Sequence, residues 1–169
     1  MRQVAALAST GLALATAAAV PPSAWRLTPD GYGPIRIGMR RAEVARIVAA
    51  PLVGEEVTEG CIETHASRGW GGMWFMFEEG RLTRISISGR TRVATPRGVG
   101  VGTTEAAVRR AYASGLTVEP HHYEDAPAHY LTFWVRPNVR GVRFETDRSR
   151  RVRTIHAGGP SIEYVEGCL

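Results

Sequence analysis

Apolar residues along this chain follow two spacings, one helical and one strictly alternating, and the order in which the two occur repeats once. Over residues 41–48, Val44, Ile47 and Val48 stand at i, i+3 and i+4 while Arg41, Glu43 and Arg46 stay off that stripe, which predicts a short amphipathic helix. Pro51 follows and ends it, because proline has no amide for the next helical bond. Ahead of the helix, Ile35 and Ile37 flank Arg36 in a very short extended run, and Gly38 supplies a hinge. The pattern returns from Val99 onward: Gly102 answers to Gly38, Val108 to Val44, and Ala111 and Tyr112 to Ile47 and Val48. Internal similarity of this kind signals a structural repeat. Thr104 is a good cap for the second helix. Its counterpart, Arg40, cannot cap, so the first helix leans on Glu43 near its N-terminus and is expected to fray more at its start.

Alternating runs follow each helix. Strands are expected over residues 61–66, 72–78 and 81–88, with Glu79-Gly80 as a tight turn, and again over 129–135, 142–146 and 151–157, with residues 147–150 joining the last two. Phe77-Glu78 matches Phe144-Glu145, and Leu82 and Ile85 match Val152 and Ile155. The expected fold is therefore α+β, two tandem units that each consist of a helix and an antiparallel three-stranded meander, residues 25–89 and 90–169. One unit alone would bury only about 60% of its chain surface, so the two are expected to pack side by side, their sheets continuing or abutting.

Alternation also assigns faces. Phe75, Phe77, Ile85 and Ile87, with Val142, Phe144, Ile155 and Ala157, point to the helices, and Leu131, Phe133 and Val135 alternate the same way. The opposite face then carries Trp74, Met76, Arg84, Ser86, Thr132, Trp134, Arg143, Glu145 and His156. Two tryptophans and a methionine on a face without a helix call for an explanation. One is a recognition surface in which Trp74, Met76 and Trp134 anchor a partner and Arg84 and Arg143 donate hydrogen bonds. The other is that loops, the leader-proximal segment or the other unit cover them.

Residues 1–24 read as a secretory leader: Arg2 gives the positive start, Val4 to Val20 carry no ionisable group, and Ala17 to Ala19 offer small residues for cleavage. Export changes the meaning of the only two cysteines, Cys61 and Cys168. An even pair in an oxidising compartment predicts a disulfide, and closing so long a loop contributes on the order of 4 to 5 kcal/mol in the chain-entropy picture. The net charge of +5 over 169 residues comes entirely from arginine among the basic residues and is spread along the chain, too thin for a nucleic-acid footprint.

Candidate chemistry is sparse. His121, His122 and His129 match no zinc spacing, and Pro120, Pro127 and Glu124-Asp125 around them predict a solvated turn. Glu55, Glu56, Glu59 and Glu63 form an acidic stretch read as a loop after Pro51. None of Ser67, Ser86, Ser88, Ser114, Ser149 and Ser161 lies in a Gly-x-Ser-x-Gly elbow. The glycines of residues 98–102 have no lysine of a phosphate loop. No cofactor or metal is expected.

The run Ile37-Gly38-Met39-Arg40-Arg41-Ala42-Glu43-Val44 resembles the signature of two exported families: small outer-membrane lipoproteins of the SmpA/OmlA type, and the β-lactamase inhibitory protein family, which carries the motif twice. Arg40 stands where these families have threonine, Thr103 replaces methionine in the second copy, and each half has one cysteine. The tandem arrangement implies the inhibitor-like fold, in which two helix-plus-sheet units present an open sheet to a protein. The expectation is thus an exported, non-enzymatic binding protein, periplasmic or secreted, that engages a protein partner in the cell envelope and has no stable membrane insertion once the leader is removed. The rival is an envelope hydrolase using the histidine loop or a serine at the sheet edge, and a third reading is a structural envelope component.

Overall fold

The computed structural model describes residues 22–168. Of the expected leader, residues 1–21 lie outside the described residues, and Pro22–Ala24 form a short 3-10 turn. Fourteen regular elements follow: β1 (Leu27–Thr28), β2 (Gly31–Tyr32), β3 (Ile35–Arg36), α1 (Arg41–Val48), β4 (Leu52–Val53), β5 (Glu56–Thr58), β6 (Cys61–Ala66), β7 (Met73–Glu78), β8 (Arg81–Ser88), α2 (Glu105–Ala111), β9 (Leu116–Pro120), β10 (His129–Arg136), β11 (Arg140–Thr146) and β12 (Val152–Gly158). A second 3-10 turn covers Pro160–Glu163.

The architecture corrects the expected fold class. The chain is β-rich, built on one nine-stranded antiparallel sheet rather than on two helix-plus-meander units. The strand order is β4-β6-β7-β8-β12-β11-β10-β9, with β5 also on β6, and β1 to β3 form a separate three-stranded sheet. The physical reason lies at the centre. A meander ending on β8 or β12 would leave a long apolar strand with unpaired backbone groups at its edge. Instead the two strands pair with each other, Ile87 opposite Ile155, Ser86 opposite His156 and Ile85 opposite Ala157. The remaining difference comes from strands of two to five residues, β4, β5 and β9 among them, too short for alternation to announce. The two α-helices among the described residues are only eight and seven residues long.

Helices and small sheet share one face of the large sheet. Val44 and Val48 of α1, Val108 of α2, Tyr112 just after it, and Leu27 and Ile35 of the small sheet join Phe75, Phe77, Ile85, Ile87, Leu131, Phe144 and Ile155 in one buried cluster. These are the residues that alternation assigned inward. Val135 is an exception: the register of β10 on β11 shifts between Trp134 and Arg136, and Val135 is exposed.

The two helix starts are built alike. Gly38 (φ 94°) and Gly102 (φ 86°) both take backbone conformations that favour glycine. Gly38 N donates to Leu82 O at 2.7 Å and Gly102 N to Val152 O at 2.8 Å, so each hinge is tied to a matching strand. Thr104 Oγ1 accepts from Ala107 N at 3.3 Å. Before α1, Arg40 offers no side-chain cap, and Arg40 N donates to the Glu43 carboxylate at 2.7 Å, the half of a capping box that satisfies the amide of the cap residue itself.

Candidate functional site

The face away from the helices is crossed by the C-terminal segment. Cys61 stands opposite Glu78 on that face, so the Cys61–Cys168 disulfide, Cα atoms 5.6 Å apart, must bring residues 160–168 onto it. Arg84 Nη1 donates to Ser161 O at 2.9 Å and Tyr164 O at 3.3 Å, and Arg84 Nη2 pairs with Glu63 at 2.5 Å. Thr58 Oγ1 donates to Cys168 O at 2.6 Å, and Tyr164 donates its phenol to Glu78 at 3.0 Å. That bond, helped by burial, raises the Tyr164 pKa. Gly167 (φ 68°) passes so close to the Glu63 carboxylate that a Cβ there would lie 2.5 Å from it.

This strap redistributes the five residues expected to form an open recognition surface. Met76 is 1% exposed and packs with the disulfide. Arg84, 3% exposed, anchors the strap from beneath. Arg143 is buried, its guanidinium 4.0 Å from the centre of the Tyr130 ring and 3.9 Å from both Glu119 and Glu163. Trp134 is half-buried over Gly141, where a Cβ would lie 2.6 Å from the indole and 3.0 Å from Ile162 of the strap. Trp74 alone of the five is exposed, at 41%, its ring 4.7 Å from that of His65.

Beside the strap the sheet remains open. A cavity of about 330 Å³ has Trp74 on one wall and Tyr164 and Val165 of the strap on the other, over a floor that includes Ser86, Ser88, Glu145, Thr154 and His156, with Glu63 and Arg84 between them. Trp74, Tyr164 and Val165 are three of the large apolar side chains that the protein leaves exposed, and all three rim this one cavity. The floor is a hydrogen-bonded row across three strands. Ser86 Oγ on β8 is 2.7 Å from His156 Nδ1 on β12, and His156 Nε2 is 3.1 Å from Glu145 Oε1 on β11.

Burial pushes the His156 pKa down, and the nearby Arg84 and Arg143 add to this against the hydrogen bond and charge of Glu145. Burial by itself would raise Glu145, but the hydrogen bond and charge of His156, with His121 and Arg143, hold its carboxyl below the ordinary value. At neutral pH the pair is therefore a neutral imidazole beside a carboxylate. A carboxylate only accepts, so Nε2 carries the proton and Nδ1 is bare, and the Ser86 hydroxyl donates to it.

Alternation had placed Ser86, Glu145 and His156 on this face. What it lacked was the pairing of β8 with β12, which sets serine directly opposite histidine. The signal available was the match of Ile85 with Ile155, which identifies β8 and β12 as equivalent strands able to pair about a local two-fold.

The remaining candidates lie apart. His129 Nδ1 is 3.0 Å from Glu105 Oε2 at the start of α2, His121 stacks on Tyr130 with ring centres 4.3 Å apart, and His122 faces Tyr123. Among the described residues no group of three or more histidine, cysteine or acidic side chains is placed to hold a metal. Of the acidic stretch, Glu56 lies on exposed β5 and bonds Gly60 N at 2.7 Å, while Glu63 belongs to β6 and the Arg84 pair. A second cavity, about 360 Å³, is lined by Trp25, Tyr32, Trp70 and Met73. Its aromatic rings pack on one another at 5.6 to 6.2 Å, and its lining includes no carboxylate, imidazole or guanidinium.

No family model matches this chain, and no curated protein does. Among solved structures it is similar to an extracellular protein containing an SCP domain from Bacillus anthracis str. Ames, with 10% sequence identity and a TM-score of 0.50 over 73% of this chain. The match spans 44% of that protein, less than half its length, and at this identity it speaks for the fold alone.

Proposed function

We propose that this chain is an exported binding protein that engages a protein partner of the cell envelope through the cavity between Trp74 and the C-terminal strap. The observation that carries the reading is the convergence of Trp74, Tyr164 and Val165, each exposed, on one rim around a polar floor. Aromatic side chains at the edge of a concave site supply contact area at low entropic cost, and a polar floor fixes register. The disulfide supports passage through an oxidising compartment, and no described helix is long and apolar enough to cross a membrane. The resemblance of residues 37–44 to exported partner-binding families points the same way.

The partner contact is narrower than a whole sheet face. Met76, Arg84 and Arg143 serve the strap, and the partner meets Trp74, Tyr164 and Val165 first. The test is co-purification from envelope extract with the mature chain and with a Trp74→Ala/Tyr164→Ala double variant. A partner retained by the native chain and lost by the folded variant supports the reading. Equal recovery with both contradicts it.

A further inference from the structure

The floor of the cavity holds more than a partner contact needs. A serine hydroxyl bonded to a histidine that is itself oriented by a carboxylate is the arrangement that activates a nucleophile, and it is recognised by roles and geometry rather than by sequence order. Here the bonds are 2.7 Å and 3.1 Å. The nitrogen facing the hydroxyl is Nδ1 and the one facing the carboxylate is Nε2, the reverse of the usual serine protease order, with the same division of labour. Each member comes from a different strand in the middle of the large sheet, locked by ladder hydrogen bonds on both sides, so the row is rigid before any ligand arrives.

We infer that Ser86 is an activated nucleophile, with His156 as its base and Glu145 as the group that positions His156, and that the cavity accepts small carboxylic esters.

Ser86 Oγ attacks the ester carbonyl carbon, forming the Oγ–C bond as its proton passes to His156 Nδ1. The imidazolium is stabilised by the Glu145 carboxylate. Collapse of the tetrahedral species breaks the bond to the alkoxide, which leaves as the alcohol with the proton from Nδ1. Water then repeats the sequence on the Ser86 ester and releases the carboxylic acid, restoring the hydroxyl. Backbone amides at the centre of a sheet are committed to the ladder and cannot hold the developing oxyanion. Arg84, two residues before Ser86 on the same face of β8, brings a guanidinium, paired with Glu63, to the cavity wall. Tryptophan on one wall and tyrosine with valine on the other bound a space of about 330 Å³, which suits a short acyl group.

This inference shares its cavity with the binding reading but does not rest on it, and a small reagent separates the two. Diisopropyl fluorophosphate loses fluoride as its phosphorus bonds a nucleophilic serine oxygen, adding a fixed mass. The mature, disulfide-bonded chain is expected to gain one adduct, mapped by peptide mass spectrometry to Ser86. Ser86→Ala should gain none, and Ser67→Ala, which removes an exposed hydroxyl outside the cavity, should label like the native chain.

Glu145→Gln should label at least tenfold more slowly while His156 stays in place. Labelling of the native chain should fall as the pH drops and His156 gains a proton, a process in which Glu145 and Arg143 of β11 and Arg84 and Ser86 of β8 are the groups facing the ring. Mapping on the native chain keeps the test open if Ser86→Ala does not fold. An unlabelled native chain, an adduct at another residue only, or equal rates for Glu145→Gln would each overturn the assignment. Loss of partner capture with labelling intact would sink the binding reading alone.

Discussion

The two faces of the large sheet solve the problem of burial in opposite ways. Beneath the helices, Phe75, Phe77, Ile85, Phe144 and Ile155 are fully buried and present no polar group to satisfy. On the opposite face, Arg84, Arg143, Ser86 and His156 are nearly as buried, and each is held by a named partner, whereas the buried Thr132 hydroxyl has none among the described residues. A dry face contributes stability in proportion to area and tolerates little loss of volume. A buried polar face contributes little net stability but fixes a single arrangement. The second kind of face is where a cavity with directed hydrogen bonds can form, and this protein places its cavity there.

Breaking the dry face should cost most. Phe144→Ala leaves a void at the centre of the cluster and is expected to lower stability by about 3 to 5 kcal/mol in urea titration. Cutting the strap loose comes next: Cys168→Ser opens a loop of 107 residues and is expected to cost about 2 to 5 kcal/mol, with Met76 becoming accessible to oxidation. Arg84→Met removes the strap anchor and leaves the carbonyls of Ser161 and Tyr164 without that donor. The expected loss is about 1 to 3 kcal/mol, and it should shrink sharply when Cys168→Ser is already present, since both act on one segment.

Alternation made the two faces legible before any coordinates, because side chains on a strand must project to opposite sides. Ser86, Glu145 and His156 were therefore assigned to the right surface without being assigned to each other. Their contact depends on the register of β8 against β12, and register across a long connection has no local signature. The strap was half legible. Pairing Cys61 with Cys168 was expected, and Cys61 projects from the polar face, so the last residues had to cross it. Fold class was misread for a related reason: β4, β5 and β9 are too short to alternate visibly, and the open edges of two separate meanders are closed by pairing that only the assembled sheet reveals. Arg40 was expected to be unable to cap and makes no side-chain cap bond, while Glu43 holds the Arg40 amide.

Acid should act on the polar face first. His156 has a folded pKa below its ordinary value of 6.5, so the unfolded chain binds the extra proton more readily and stability falls as pH drops through that value. Glu145, also held below its ordinary value of 4.5, adds a further loss as pH falls through its folded pKa. The melting temperature should therefore decline from pH 7.5 to pH 5, and His156→Gln should flatten the upper part of that decline. A melting temperature that rises on acidification would mean that His156 is held charged in the folded protein.

The smallest effect on stability is expected at the rim. Trp74→Ala should change stability by no more than about 0.5 kcal/mol because the ring stands at the exposed rim with only His65 stacked near it, whereas Trp134→Ala, which uncovers Gly141 and Ile162, should cost about 1 to 3 kcal/mol. A comparable loss at both positions would mean that Trp74 is part of the packing.

Site-specific photocrosslinking tests most directly whether the cavity is where the partner sits. A benzophenone side chain is placed in turn at Trp74 and Val165 on the rim, and at Val57 and Val139, which are also exposed but lie away from the cavity. The account predicts the same crosslinked envelope protein from Trp74 and Val165 and none from Val57 or Val139. Adducts from Val57 or Val139, with none from the rim, would contradict it.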